Sequence, residues 1–181
     1  MVNSHETGAI VDECTASPKR SFAPLARGDA RILILGSLPG QRSLHEQQYY
    51  AHPQNAFWRV MQQLVGAHGT YAERCAMLLD NRLAVWDVLY ESVRPGSMDA
   101  DIRLDTARVN DFAALFVECP GIRRVCFNGR KAAALYGRLV DDDCAPAGCE
   151  FFTLPSTSPA YAAMSFADKL ETWRAALTIQ E

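Results

Sequence analysis

Three stretches of this sequence gather side chains able to hold a planar, polar or anionic ligand. The first runs from Gly36-Ser-Leu-Pro-Gly40 to Asn55 and carries Ser43, Tyr49, Tyr50 and His52. Backbone N–H groups in such turns, and at the start of the helix expected after Asn55, can bind phosphate. A purely structural turn fits the spacing equally well, and the Gly-x-x-x-x-Gly-Lys-Ser pattern of a P-loop is absent. Tyr49 and Tyr50 are adjacent, so in extended chain they point opposite ways: one packs and the other offers a stacking face. The second stretch is Phe127-Asn-Gly129. The Asn128 amide both donates and accepts, as a reader of a base edge must, although Asn-Gly also suits a plain strand-end turn. The third, Leu154-Pro-Ser-Thr-Ser-Pro159, holds three hydroxyls between prolines. Prolines lower the cost of fixing a loop, and hydroxyls and main-chain N–H groups commonly contact phosphates.

Other chemistries find no support. The four histidines, His5, His45, His52 and His68, show no His-x-x-x-His spacing, and the six cysteines form no Cys-x-x-Cys pair. Neither a metal nor another cofactor is therefore expected. Cys144 and Cys149 could close a small loop, but unpaired thiols are the expectation. No Ser-His-Asp set announces a nucleophilic hydrolase.

These loops need elements to position them. Arg31-Ile-Leu-Ile-Leu-Gly36 is a short apolar run ending in glycine, which reads as a buried parallel strand. Leu83–Asp87, Ile122–Phe127 and Glu150–Leu154 read as three more strands. Helices are expected from Asn55, with Phe57, Trp58, Met61 and Leu64 inward, and over Tyr71–Leu79, Val109–Val117, Lys131–Val140 and Ala167–Leu177. Gln41 to Pro53 reads as a polar loop, and Arg94-Pro-Gly-Ser97 with Asp99 as another. Strands alternating with helices predict an α/β fold, three-layer α/β/α, around a mainly parallel four-stranded sheet. All three unusual loops follow strands, so they converge at the carboxyl edge of the sheet, where such folds bind ligands.

The chain has 181 residues, 49% hydrophobic and 22% charged, which suits one globular domain over 21–181 after a flexible lead-in over 1–20. A formal charge of −3 excludes a histone-like binder but not nucleic acid, whose affinity depends on local cations. Arg130 and Lys131, at a strand–helix junction, are the cations best placed to face a polyanion. No apolar stretch approaches about 18 residues, so no membrane span is expected. With no signal-peptide pattern and isolated thiols, the expected compartment is the cytoplasm.

Gly36-Ser-Leu-Pro-Gly40 with Tyr50-Ala-His-Pro-Gln-Asn-Ala-Phe-Trp58, then Phe127-Asn-Gly129, then Leu154-Pro-Ser-Thr-Ser-Pro-Ala160 together resemble the uracil-DNA glycosylase superfamily. The resemblance spans residues 30–177, and the nearest branch is the hypoxanthine-DNA (deoxyinosine) glycosylases. It implies an enzyme of base excision repair that flips a deaminated base from DNA and hydrolyses its N-glycosidic bond. Mismatch-specific relatives carry Gly-x-Asn-Pro-Gly, with the Asn positioning water; here that slot is Leu38. The resemblance therefore moves the catalytic role to Asn55, with a helix cap as the rival reading. It makes Tyr50, Asn128, Phe57 and Leu38 the base-binding set. Ser43, Ser156, Ser158, Arg130 and Lys131 become the phosphate contacts, and Tyr161 the wedge filling the gap left by the flipped base. Leu154 stands where uracil enzymes often carry His or Asn. The implied substrate is damaged double-stranded DNA, with single-stranded DNA as an alternative, handled by a monomer without an obligate protein partner. Mismatch-specific uracil release and a lesion-binding module without catalysis are the competing readings, with a small-molecule hydrolase third.

Overall fold

In the computed structural model, which describes residues 17–96, 98–141 and 143–178, the chain forms β1 (Lys19–Arg20), β2 (Ile32–Gly36), α1 (Gln41–Glu46), α2 (Phe57–Val65), α3 (Tyr71–Asp80), β3 (Leu83–Asp87), β4 (Leu89–Ser92), β5 (Arg108–Val109), α4 (Phe112–Glu118), β6 (Arg124–Asn128), α5 (Arg130–Leu139), β7 (Glu150–Leu154) and α6 (Phe166–Leu177). Every residue of β2 is buried, which requires partners on both edges and cover on both faces. Its edge partners are β3 and β6, both parallel, and β7 completes the sheet in the order β3-β2-β6-β7. The chain runs outward from β2 to β3, then reverses across the sheet to β6 and β7. Right-handed crossovers then place helices on opposite faces. Accordingly α2 packs with α3 and α6, while α4 meets α5 through the Phe112 and Tyr136 rings, 5.2 Å apart.

Register decides where the loops emerge. Gly36 lies opposite Asp87, and Asn128 opposite Leu154. The four strands thus end together, and the segments after them share one rim.

Capping chemistry sets several helix starts. Thr70 and Glu73 form a reciprocal capping box before α3, and Ser165 accepts from Asp168 N–H before α6. Asp111 accepts from Ala114 N–H at 2.9 Å, so α4 starts at Phe112 and not at Val109 as the periodicity predicts. The residues just before it, Arg108–Val109, pair instead with β4 in a small antiparallel sheet ordered β1-β4-β5. That sheet is absent from the sequence expectation. Lys19–Arg20, expected within the lead-in, pair with Ser92 and Glu91; residues 1–16 lie outside the described residues. Its strands are too short to show a period, and Glu91 joins them by accepting from Arg20 and Arg108. Part of the expected polar loop 41–53 is the helix α1, ended by Gln47 in a left-handed conformation. Among the described residues, no helix is long and apolar enough to cross a membrane. The described cysteines, Cys144 and Cys149 included, are unpaired thiols, and Cys14 lies outside the described residues.

Phe57 belongs to the core and not to a base-binding surface. It is fully buried, edge-on to Trp173 at 6.1 Å and to Trp58 at 5.1 Å, with the Tyr50 ring stacked on it at 4.0 Å. As the first residue of α2 it faces inward, as its place on the apolar stripe requires. Phe57→Ala should destabilise the protein by about 3–5 kcal/mol, read from the urea midpoint; a loss under about 1 kcal/mol would contradict a core role.

Candidate active site

The rim of the sheet encloses a cavity of about 530 Å³. Leu38, Ser43, Tyr50, Asn55, Asn128, Ser156, Ser158 and Tyr161 all line it, from three segments distant in sequence. Phe57, Arg130 and Lys131 do not. Arg130 and Lys131 open α5 directly after Gly129, outside the cavity.

Thr157 ties the three segments together, although it is almost wholly buried itself. Its N–H donates to Asn128 Oδ1 at 2.8 Å, and its Oγ1 accepts from Asn128 Nδ2 at 2.8 Å. Its carbonyl accepts from Ala56 N–H at 2.9 Å, at the start of α2. Gly129 has a φ of 100° and packs on Ser156, where a Cβ would sit 2.9 Å from the Ser156 Cβ. Glycine alone meets both demands. The Trp173 indole donates to Pro155 carbonyl at 3.0 Å, anchoring the proline loop to α6.

Asn128 therefore stands on the rim with half of its amide committed. One Nδ2 hydrogen and one Oδ1 lone pair remain for a ligand. Asn55 is fixed in a similar way. Its Oδ1 accepts from Phe57 N–H at 3.0 Å, so the helix-capping reading holds for the oxygen. The same bond orients Nδ2, which has no protein acceptor among the described residues and is the end available to the cavity. Tyr50 has a positive φ of 54°, and its buried hydroxyl makes no hydrogen bond of good geometry among the described residues, with the Asn128 amide its nearest candidate donor. Tyr49 is the packed member of the pair, its hydroxyl donating to Ala23 carbonyl. Ser43 is nearly buried, its Oγ accepting from Ala51 N–H at 3.2 Å, which braces the loop ahead of Asn55. Ser156 Oγ accepts from Ser158 N–H, and Ser158 Oγ from Ala160 N–H. These serines order their own loop, and their hydroxyl hydrogens stay free to donate. Tyr161 is 38% exposed at the cavity, with the Lys169 ammonium 5.3 Å from its ring centre.

A fourth segment, not anticipated as part of the site, closes the remaining side. Arg94 is 1% exposed, and its guanidinium donates to the carbonyls of Leu38 and Pro39. Asp99 lies 3.5 Å from Arg94 and accepts from Ser37 Oγ at 2.6 Å. The pair thus clamps the Gly36–Gly40 turn from outside. Asp87 also lines the cavity; burial pushes its carboxyl up to about 7, opposed by the Ser21 hydrogen bond and by Arg94. Nothing in the local pattern separates these charges from ordinary loop and strand-end residues. The one available signal was Asp87 itself, a carboxylate ending an otherwise apolar strand.

A model of the uracil DNA glycosylase superfamily matches residues 24–177. A hypoxanthine DNA glycosylase of Methanosarcina acetivorans is 38% identical over 145 residues, covering 78% of this chain and 87% of the relative. One of Methanosarcina barkeri is 37% identical over 117 residues, covering 63% and 73%. The solution NMR structure of a protein from Methanosarcina acetivorans superposes with a TM-score of 0.74 at 36% identity, over 89% of this chain and 97% of that one.

Thr157→Val keeps both main-chain bonds but strips Asn128 Nδ2 of its acceptor. The expected cost is about 1–3 kcal/mol in urea unfolding. An unchanged midpoint would show that the hydroxyl does not hold the loops.

Proposed function

This chain belongs to the uracil DNA glycosylase superfamily, and from that premise we propose that it is a monofunctional glycosylase excising hypoxanthine from deoxyinosine in DNA. The observation that carries this reading is the meeting of Tyr50, Asn55 and Asn128 in one cavity at the carboxyl edge of the sheet. An extruded base needs a snug hole, an aromatic wall, hydrogen bonds to its edge and a hold on the backbone. Tyr50 supplies the wall, itself backed by Phe57. Asn128 offers one donor and one acceptor to the base. Ser156 and Ser158 donate to flanking phosphates, with Arg130 and Lys131 outside the cavity adding long-range attraction. Tyr161, exposed at the cavity, fills the space the base vacates.

The C1′–N9 bond breaks with its electron pair going to the base, leaving an oxocarbenium-like sugar that the DNA phosphates help to stabilise. Water then adds to C1′. So electrophilic a centre needs a positioned water more than a strong base, and the Asn55 amide, held by Phe57 N–H, presents Nδ2 to it. Leu38 stands where mismatch-specific relatives carry the water-positioning Asn, which weighs against uracil as the preferred target. No lysine lines the cavity, so the reading includes no Schiff base and no strand cleavage.

Asn55→Ala should lower single-turnover excision from a deoxyinosine duplex by about a hundredfold or more, with lesion-DNA affinity largely kept. Loss of the cap should cost only about 1 kcal/mol, so the variant stays folded. Parallel duplexes carrying uracil or xanthine rank the targets. Wild-type turnover in the variant would remove Asn55 from the mechanism.

A further inference from the structure

One buried carboxyl lines the cavity and has no part in the reading above. Asp87 is 4% exposed at the end of β3, in register with Gly36. A Cβ on Gly36 would lie 2.6 Å from Asp87 Oδ1 and 3.1 Å from the Tyr50 hydroxyl. The two oxygens therefore overhang the same glycine, which is why no side chain fits there. Asp87 Oδ2 accepts from Ser21 Oγ at 2.9 Å. Oδ1 has no donor among the described residues, and the buried Tyr50 hydroxyl has only the Asn128 amide near enough to donate to it, without a bond of good geometry.

The charged and titratable groups around Asp87 do not pair with it. Arg94, from the segment after β4, makes its hydrogen bonds to Leu38 and Pro39 and stands 3.5 Å from Asp99. Asp99, in the following turn, repels a negative charge on Asp87. Tyr49 and Tyr50, from the loop ahead of α2, are held neutral by burial. A carboxyl in such a place is driven to keep its proton. A carboxyl with one oxygen lacking a donor, on the wall of a cavity, suits a ligand ring nitrogen.

We propose that Asp87 is the leaving-group acid for the excised purine, its carboxyl O–H directed at a ring nitrogen. This rests on the reading of the cavity as a hypoxanthine-excising site. The proton passes from Asp87 to N7 as the C1′–N9 pair goes to the base, which leaves as neutral hypoxanthine. Water held by Asn55 adds to C1′, and its surplus proton returns to the Asp87 carboxylate. An acid that titrates near neutrality is well matched to this cycle.

The test is single-turnover release of hypoxanthine from a deoxyinosine duplex between about pH 5.5 and 9. The wild-type rate should fall about tenfold per pH unit above a bend near 7. Asp87→Asn should be slower at low pH and show no bend. Ser21→Ala removes the hydrogen bond that favours the carboxylate, so its bend should move to higher pH. A purely structural role would lower the rate equally at every pH and leave the bend in place. Folding is checked separately. The raised carboxyl makes the wild type lose stability as pH climbs from the ordinary carboxylate range to about 7. Asp87→Asn has no charge to bury and should melt no lower than wild type at pH 8. An Asp87→Asn variant that keeps the bend, or the wild-type rate at low pH, overturns the proposal. A wild-type protein that releases no hypoxanthine at any pH overturns the underlying reading as well.

Discussion

The three hydrogen bonds of Thr157, two to the Asn128 amide 29 residues before it and one from Ala56 N–H, join the segments after β2, β6 and β7. They are made in a buried spot, where a polar group without a partner is expensive and a satisfied one is correspondingly rigid. The Asn128 amide and the start of α2 take their positions from this junction. It turns the Asn128 amide so that one face points to Thr157 and the other to the cavity. It sets the start of α2, and with it the Asn55 oxygen that caps Phe57. The prolines on either side and the Trp173 indole bond to Pro155 keep Thr157 in place in turn.

Beneath the junction, strand register does the coarse positioning. Parallel strands ending level with one another bring Gly36, Asp87, Asn128 and Leu154 to one rim. Side-chain chemistry then divides along that rim. Toward α2 and β7 the polar groups are satisfied, each amide having one half held and one half free. Toward β3 the balance differs: among the described residues Asp87 Oδ1 has no donor, and Arg94 is occupied with the Gly36–Gly40 turn. Unmet hydrogen bonds inside a folded protein cost stability, and it is this part of the cavity on which the proposal of a leaving-group acid rests.

The main sheet and most of its helices could be read from the sequence because their signals are strong. A continuous apolar run such as Ile32–Leu35 has few alternatives, and Leu83–Asp87 and Glu150–Leu154 match the structure at both ends. The antiparallel sheet could not be read. Two of its strands are two residues long and are held by pairing and by Glu91 with two arginines, none of which leaves a period. That Tyr50, Asn55 and Asn128 come together at one cavity could be read because they sit in distinctive loops after parallel strands. Phe57 carried two readings, inward on the apolar face of α2 and part of the base-binding set, and the structure agrees with the first: it is fully buried and does not line the cavity. Thr157 was hidden among three similar hydroxyls, and Asp87 and Arg94 were hidden because burial, not residue type, gives them their character.

The central claim, that these loops form a hole in which a base is cut from its sugar, is tested most directly by mass detection of free bases. A duplex carrying deoxyinosine, uracil and xanthine would be incubated with excess protein, and the supernatant and the strands weighed. The account predicts free hypoxanthine as the main product, with an equal amount of unbroken abasic strand. Tight binding of the duplex with no free base released, or a strand broken in the absence of alkali, would contradict it.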